Sequence, residues 1–185
     1  MITTTHVILN TALLGSKNHP ERNWPIILGA LLPDIPTFFV LFSPLYYAMG
    51  AKTLLNYMFL QHCTDWFHSI PLATAGGLLC LAFRFRGGVY CFVSVVLHDL
   101  EDLPLHAQFA HKHFLPISNY VFHSPISYWE IPYHAYLVAP LEWLTVIICA
   151  YFLWRRHLNP FAQLVLLFVI IFQGMLLIYF LGFHW

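Results

Sequence analysis

Long apolar stretches separated by short polar ones dominate the hydrophobic pattern of this chain. Residues 136–154 and 161–183 each approach or exceed the roughly 20 apolar residues that a helix needs to cross a bilayer. Only Glu142, Gln163 and Gln173 interrupt these two stretches with charged or amide side chains. The pattern therefore predicts two membrane-spanning helices over these residues.

The remaining apolar segments are shorter, and they predict further helices over residues 2–15, 25–48, 69–83 and 88–105. Three threonines at positions 3–5 are candidate N-caps of the first helix. Pro33 and Pro36, with Asp34 between them, interrupt the second segment, and the last two segments form a hairpin around residues 84–88. We predict an all-α, polytopic integral membrane bundle of about five to six helices. It forms a single membrane-embedded domain over residues 1–185, with a metal site at one membrane face.

Composition supports a membrane protein. The chain is 59% hydrophobic and 9% charged, whereas soluble domains carry about 25% charged residues. Its net charge of zero gives no reason to expect a nucleic-acid partner, and its four cysteines form no CxxC pair. The first 15 residues lack the basic start and cleavage site of a signal peptide, so we expect insertion through the helices themselves. Twelve histidines outnumber the eight Lys and Arg residues, which is the one compositional anomaly.

Basic residues indicate an orientation. Six of the eight lie in three connections, at Lys17, Arg22, Arg84, Arg86, Arg155 and Arg156. Alternating six helices across the membrane places these three connections on one side, which the positive-inside rule assigns to the cytoplasm. Most histidines then fall toward the opposite side, in or beside the connections 49–68 and 106–134. The sequence therefore predicts a site that faces away from the cytoplasm.

A dense run of polar residues closes the apolar segment 88–97. His98 and Asp102 are four residues apart, so they share one face of a helix. His106 is four residues further on, although Pro104 can bend the chain between them. Such a run can be a solvated helix end, but ionisable groups at membrane depth are costly and usually functional. The combination favours a metal site.

Other polar residues extend the candidate set. Asp34 lies between two prolines in apolar sequence, where it is either a turn former or a buried acid that needs a cation. The metal-ligand candidates are His6, Asp34, His68, His98, Asp102, His106, His111, His113, His123 and Glu130. Asp99, Asp65 and Glu101 are spare acids that can serve as the catalytic general base or as partners of the ligands.

Several of these motifs resemble a known family. His6, Pro33-Asp34, His68-Ser69 and His98-x3-Asp102 resemble the membrane-bound metal-dependent hydrolases noted as LexA-regulated inner-membrane proteins. The resemblance implies the bacterial inner membrane as the location. Two features depart from the family pattern. Pro36 replaces the second Asp of the turn, and the His-Arg that normally precedes the Thr-His is absent, with His62 and Asp65 near its place and Phe67 instead of the Thr.

A more distant resemblance is to the bacterial zinc-dependent phospholipase C fold. It rests on His98-x3-Asp102, Pro104-Leu-His106-Ala107 and Phe122-His123-Ser124, in that order. The resemblance implies one zinc ion held by His98, Asp102, Asp34 and His68. It also implies that Asp102 bridges to a second ion near His6, and that His106, His123 and Glu130 hold a third. His111 and His113 resemble a His-x-His of uncharacterised bacterial membrane proteins.

These observations predict a membrane-bound metal-dependent hydrolase with one to three zinc or other divalent ions. Its expected partners are membrane lipid and a small-molecule or lipid-linked substrate, cleaved at a phosphoester or an ester. Two non-enzymatic alternatives stay open. A metal carrier or channel would place polar residues along several spans, and the two cleanest spans offer only three. A haem or pigment binder would use isolated histidines within spans, whereas the histidines here crowd beside acids.

Overall fold

The computed structural model describes residues 1–41, 54–156 and 160–183, and every regular element in these ranges is helical. The helices are α1 (Thr3–Leu14), α2 (Asn23–Leu31), α3 (Ile35–Leu41), α4 (Leu54–Phe67), α5 (Ile70–Ala82), α6 (Arg86–Asp102), α7 (Ala135–Arg155) and α8 (Pro160–Phe183). Short 3-10 turns include Leu32–Asp34 before α3 and Leu103–Leu105 after α6. The predicted all-α class is therefore confirmed. The part of the predicted segment 25–48 beyond residue 41 lies outside the described residues.

Two described helices are long and apolar enough to cross a membrane, Ala135–Arg155 and Pro160–Gly182. They coincide with the two spans that the hydrophobic pattern predicts. The other apolar helices are shorter, with 12 residues in α1, 13 in α5 and 17 in α6. A straight span needs roughly 20 residues, so the geometry supports two spans by length and composition.

The start of α1 corrects one prediction. Ile2 occupies the N-cap position and makes no side-chain cap hydrogen bond, so the threonine caps expected there are wrong. The threonines bind acids of other elements instead. Thr5 donates its hydroxyl to Glu142 of α7 over 2.6 Å, and Thr3 donates to Asp34. Two acids in apolar sequence are thereby tied to the N-terminal helix.

Helices α2 and α6 cross in close contact at Gly29. A Cβ atom on Gly29 would lie 2.1 Å from the carbonyl oxygen of Cys91, so only glycine fits this crossing. One turn along α6, Ser94 donates its hydroxyl to the carbonyl of Ile26 over 2.7 Å. Asn10 of α1 donates to the Ser94 hydroxyl over 2.9 Å. These contacts hold α1, α2 and α6 together directly beneath the polar end of α6.

Helices α5 and α6 form the predicted hairpin. Helix α5 ends at Ala82, Arg84 turns the chain in the left-handed region with φ 57°, and α6 begins at Arg86. The two helices approach closely, because a Cβ atom on Gly88 would lie 2.4 Å from Cys80 Sγ. The hairpin carries α6 back to the level at which its polar C-terminal turn meets α4 and α2.

The apolar core lies elsewhere, between α1 and the hairpin of α7 and α8. Its buried members are Ile8, Val146, Cys149, Ala150, Leu153 and Leu166. Beyond this core, Arg156 donates to the last carbonyls of α1, at distances of 3.2 Å to Thr11, 2.6 Å to Ala12 and 3.1 Å to Gly15. A cation at these carbonyls also complements the helix dipole.

Candidate metal centre

Four histidine Nε2 atoms surround the carboxylate of Asp102, which is 2% exposed. Its Oδ1 lies 3.0 Å from His6 Nε2 and 3.3 Å from His106 Nε2. Its Oδ2 lies 3.3 Å from His98 Nε2 and 3.6 Å from His68 Nε2. Each oxygen of a single buried carboxylate thus faces two imidazole nitrogens.

Asp34 adds a second carboxylate on the Oδ2 side. Its Oδ1 lies 3.8 Å from His68 Nε2 and 4.0 Å from His98 Nε2. Potential ligand atoms of Asp34, His68 and His98 all lie within 4.8 Å of one another, and those of His6, His98 and Asp102 do so as well. The two groups share His98, so these buried side chains can hold a metal ion.

The helix end explains how His106 reaches the centre. Helix α6 stops at Asp102, and the Leu103–Leu105 turn that contains Pro104 replaces its next helical turn. His106 therefore has extended backbone angles and does not continue the helical face. The predicted neighbourhood of His106 and Asp102 is nonetheless found, because the turn brings the His106 ring back to within 3.3 Å of the Asp102 carboxylate.

Backbone carbonyls fix the orientation of two of these rings. His98 Nδ1 donates to the carbonyl oxygen of Ala30 over 2.9 Å, and His68 Nδ1 donates to that of Thr64 over 2.9 Å. A proton held at Nδ1 leaves the Nε2 lone pair directed toward the carboxylates. Metal-ligating histidines usually show this outer hydrogen bond, because it sets the tautomer and the ring orientation.

His6 is oriented by a carboxylate instead. Its Nδ1 lies 2.7 Å from Glu101 Oε2, while its Nε2 faces Asp102. Carboxylate–histidine pairs of this kind are common behind metal ions and raise the basicity of the ligand. The geometry therefore suits Glu101 as the partner that holds the His6 ring, which is one of its two predicted roles. Its other predicted role, as a general base, stays a prediction.

Unpartnered nitrogen atoms test whether a cation fits this centre. His68 Nε2, His98 Nε2 and both ring nitrogens of His106 are buried and accept or donate no hydrogen bond within the described residues. A buried polar atom left without a partner costs about 1–3 kcal/mol. Three of these atoms, the Nε2 nitrogens, face the Asp102 carboxylate, and they fit a site in which a metal ion supplies the missing partner.

The charges at the centre lead to the same conclusion. Four acids gather there, Asp34, Asp99, Glu101 and Asp102. Among the described residues, the ion-pair partners of these acids are histidines and, for Asp102, the amino group of Met1. Despite its burial, the pKa of His68 is raised by the negative charges of Asp102 and Asp34, whose oxygens lie 3.6 and 3.8 Å from its Nε2. The carboxylates around His68 therefore favour positive charge at this point of the centre, which a divalent cation would supply.

His111 lies on the far side of His68 and stacks on it, with ring centroids 4.0 Å apart. Its Nδ1 is 3.6 Å from Asp65 Oδ1, and the same oxygen accepts from the backbone N–H of Lys112 over 3.2 Å. Burial and the charge of His68 lower the pKa of His111 to about 3, so its ring is neutral at neutral pH. Asp65, one of the candidate general bases, is therefore a partner of His111 in the structure.

His113 supports the centre from behind. Its Nδ1 donates to the carbonyl of His68 over 3.2 Å, and its own carbonyl accepts from Ile70 N–H over 3.0 Å. Burial and the charge of His68 lower the pKa of His113 to about 4. The His-x-His motif thus places one ring beside the cluster and the other against the α4–α5 junction.

His123 and Glu130 lie in the loop between α6 and α7. His123 Nδ1 donates to the carbonyl of Ala107 over 2.7 Å. Glu130 accepts from the backbone N–H groups of Ala107 and Gln108 and from the hydroxyl of Ser127. Both side chains therefore hold the backbone that follows His106, and neither joins a converging ligand group within the described residues.

Asp99 is the acid without a visible partner. It is fully buried on α6, and neither carboxylate oxygen has a hydrogen-bond partner within the described residues. Burial and the charge of Asp102 raise the pKa of this carboxyl to about 8. Asp99 therefore remains a candidate for either predicted role, the general base or a partner of the metal ligands.

A cavity of about 430 Å³ opens onto the centre. Asp34, Asp102, His106 and His111 contribute its polar wall. Its remaining wall includes the aromatic side chains Phe38, Phe109, Tyr128 and Trp129. Its size falls within the range of about 300–1,000 Å³ that small-molecule sites occupy.

Some contributors were missed by sequence reasoning. Thr3 and the Ala30 and Thr64 carbonyls act only through contacts made after folding. Glu142 did leave a signal, because it is the one acid in an apolar span. It accepts from the Ile2 backbone N–H over 2.7 Å and so positions the start of α1.

Comparisons with known proteins add no identification, since no protein-family model, curated protein or solved structure matches this chain. The resemblances drawn from short motifs therefore stay predictions.

Proposed function

We propose that this protein is a membrane-bound metal-dependent hydrolase that cleaves a phosphoester of a lipid or lipid-linked substrate. The observation that carries the proposal is the Asp102 carboxylate, each oxygen of which faces two histidine Nε2 atoms. That pattern is the one expected of a carboxylate that bridges two metal ions.

The donor set favours zinc among the divalent ions. Imidazole nitrogen with carboxylate oxygen is a usual zinc ligand set, and catalytic zinc keeps a position open for water or substrate. Asp34, His68, His98 and Asp102 would hold one ion. His6 and the other oxygen of Asp102 would hold a second, and His106, whose Nε2 lies 3.3 Å from that oxygen, is a further candidate ligand for it. When bound, such ions supply Lewis-acid activation of water and charge stabilisation of the phosphoryl oxygens.

The chain's own residues would prepare the site. Glu101 holds His6 by its Nδ1 over 2.7 Å, and the Ala30 carbonyl holds His98 in the same way over 2.9 Å. These fixed rings would keep both ligand pairs in place when substrate enters. Asp99, Asp65 and Glu101 remain the candidates for the general base.

The substrate class follows from the surroundings of the centre. The cavity combines histidine and carboxylate groups with aromatic side chains, and two of these, Tyr128 and Trp129, lie in the loop that leads into the membrane-compatible helix α7. A phosphoester head group suits the polar wall, and a lipid tail suits the apolar one. We place the protein in the bacterial inner membrane. As in the predicted six-helix bundle, the shorter apolar helices, α6 among them, would cross it too, and the centre would lie on the non-cytoplasmic side.

Cysteine labelling tests this orientation. In a background free of native cysteines, single cysteines at the exposed positions Arg84 and Tyr120 should react with an impermeant maleimide from opposite sides of the membrane. Tyr120 is expected to be labelled in intact spheroplasts, and Arg84 only after lysis. Labelling of both positions from one side would refute the orientation.

Hydrolysis by the purified protein tests the activity. Zinc-loaded wild type in detergent should release the product of a phosphoester substrate, and chelation should abolish the release, with recovery when zinc is returned. Asp102→Asn provides the control for contaminating enzymes. Activity that persists in Asp102→Asn, or none on phosphomonoesters, phosphodiesters or esters, would overturn the proposal. A visible absorbance band in the pure protein would favour a pigment binder instead.

A further inference from the structure

A second cavity, of about 340 Å³, lies between the two membrane-compatible helices. Its apolar wall includes Ala139 and Trp143 of α7 and Leu176, Leu177 and Phe180 of α8. We call this cavity the α7–α8 groove. Nothing in the proposed hydrolytic chemistry uses it.

The groove adjoins the cavity over the metal centre. The two cavities share the lining residues Ile2, Tyr128 and Trp129. Tyr128 also contacts the centre, because its ring lies against that of His106 with centroids 5.3 Å apart. A molecule that lies across this shared wall reaches both the polar centre and the apolar groove.

The two polar side chains of the groove are already engaged. Glu142 accepts from the Ile2 N–H and from the Thr5 hydroxyl, at 2.7 and 2.6 Å. Gln173 donates to the hydroxyls of Thr4 and Thr5. Both therefore fasten α1 to the helical hairpin, and the groove presents a mainly apolar surface.

Trp143 gives the groove a fixed wall. Its indole N–H donates to the carbonyl of Ile170 over 3.1 Å, across the α7–α8 interface. A Cβ atom on Gly174 would lie only 3.2 Å from Trp143 Cζ2, so the glycine lets the ring lie close against α8. The wall is thus set by packing and by a hydrogen bond.

The depth of the groove matches a lipid chain. The part of α8 that lines the groove runs from Gln173 to Phe180, seven residues apart, which is about 10 Å at a rise of 1.5 Å per residue. One leaflet contributes about 15 Å of hydrocarbon, half of the 30 Å core. The groove is thus long enough for a chain segment that spans about two thirds of one leaflet.

We propose that the α7–α8 groove binds the hydrocarbon chain of a lipid phosphate whose phosphate group lies at the metal centre. The inference rests on the proposed function for the head group only, since the groove and its apolar lining stand independently of catalysis. It implies that substrate enters sideways from the bilayer, between α7 and α8.

Photo-crosslinking tests the groove without using activity. The probe is hexadecyl phosphate with a diazirine at mid-chain, added to wild-type protein in phosphatidylcholine nanodiscs. Adducts mapped by mass spectrometry should concentrate on Ala139, Trp143 and Leu177, and unlabelled hexadecyl phosphate should compete. Adducts distributed evenly over outward residues such as Leu141 and Ile178, or on a co-purified protein seated in the groove, would overturn the proposal.

A matched pair of variants sharpens the test. Ala139→Phe fills the groove, whereas Leu137→Phe changes the outward face of the same helix, where Leu137 is 56% exposed. We expect groove adducts to fall at least tenfold in Ala139→Phe and to stay unchanged in Leu137→Phe. Equal adduct yields in the two folded variants would contradict the proposal.

Two phosphoesters separate this inference from the proposed function. If the enzyme is active, Ala139→Phe should lose most of its activity on a long-chain substrate and keep its activity on a short-chain substrate with the same head group. Loss of both would show that the groove has no separate role. If wild type cleaves neither substrate, the proposed function fails, and the crosslinking result alone decides the groove.

Discussion

Two regions of this protein place polar and apolar side chains in opposite ways. Around α4 and α6 the fully buried side chains are polar, namely His68, His98, Asp99 and Asp102. In the hairpin of α7 and α8 large apolar side chains lie outside, with Phe168 66% exposed. Large exposed apolar surface indicates contact with another apolar phase or partner, and buried charge requires compensation.

The difference shows where each region obtains its stability. A bilayer around the hairpin would remove its apolar surface from water, and the hairpin requires no ligand for this. A bilayer would not stabilise the polar region in this way, because its buried nitrogens lack hydrogen-bond partners and its acids lie close to one another. We therefore expect the polar region to depend on a bound cation and the hairpin to be indifferent to it.

The largest effect should come from Asp102→Asn, which keeps the shape of the side chain but removes its charge. If Asp102 bridges two ions, metal affinity should fall by more than the roughly 100-fold that the loss of an outer-shell partner can cost. The melting temperature should fall too, since metal binding contributes folding free energy. Metal content of the folded, monodisperse variant is the measurement. His123→Asn and Glu130→Gln are the controls and should lose less metal.

Glu101→Gln should have the next largest effect. It keeps a hydrogen-bond acceptor for His6 Nδ1 but removes the negative charge behind the ring. We expect metal affinity to fall by roughly 10–100-fold, which competition with a zinc chelator would measure. An affinity equal to wild type would mean that Glu101 has no influence on the centre through His6.

Arg156→Gln tests how the two regions are joined. The guanidinium donates to three carbonyls at the end of α1, and hydrogen bonds of a charged group contribute about 1.5–3 kcal/mol. We expect a loss of about 2 kcal/mol in the free energy of unfolding in detergent. Arg155→Gln, which removes the exposed neighbouring charge, should change it by less than about 0.5 kcal/mol. Equal losses would show that the contact with α1 is irrelevant.

Gly29→Ala tests the helix crossing beneath the centre. The added Cβ would meet the backbone oxygen of Cys91 at 2.1 Å, which forces α2 away from α6. Overpacking costs about 1–3 kcal/mol, and a clash with backbone belongs at the upper end of that range. Alanine in a helix regains about 0.5–1 kcal/mol, so we expect a net loss of about 2 kcal/mol in the free energy of unfolding. Gly77→Ala is the matched control, because its Cβ would make an ordinary contact of 3.4 Å with Phe92. Thermal melts that rank the variants in the reverse order would contradict this account of the crossing.

The sequence predicts the helices well where periodicity and length are unambiguous. The spans at 136–154 and 161–183 and the hairpin around Arg84 appear at the expected places. The threonine caps fail because local propensity was outweighed by tertiary hydrogen bonds, such as that from Thr5 to Glu142. Capping rules describe a helix end in water, whereas this end is buried against α7.

For the candidate site, too, local contacts could be predicted from the sequence and tertiary contacts could not. The i, i+4 spacing of His98 and Asp102 makes their proximity a local property of α6. That His6 and Asp34 join them depends on how α1 and α2 cross α6, which no spacing in the sequence specifies. The carbonyl partners of His68 and His98 are invisible in the sequence, since every residue has a carbonyl.

Metal content of the wild-type protein tests the central claim most directly. Protein purified in detergent without chelators, and then titrated with zinc, should be measured by elemental analysis. The account predicts at least one tightly held zinc-like ion per chain, and two at saturation if Asp102 is a bridge. Folded protein that is free of metal, and that takes up none on titration, would contradict the metal centre and the hydrolase with it.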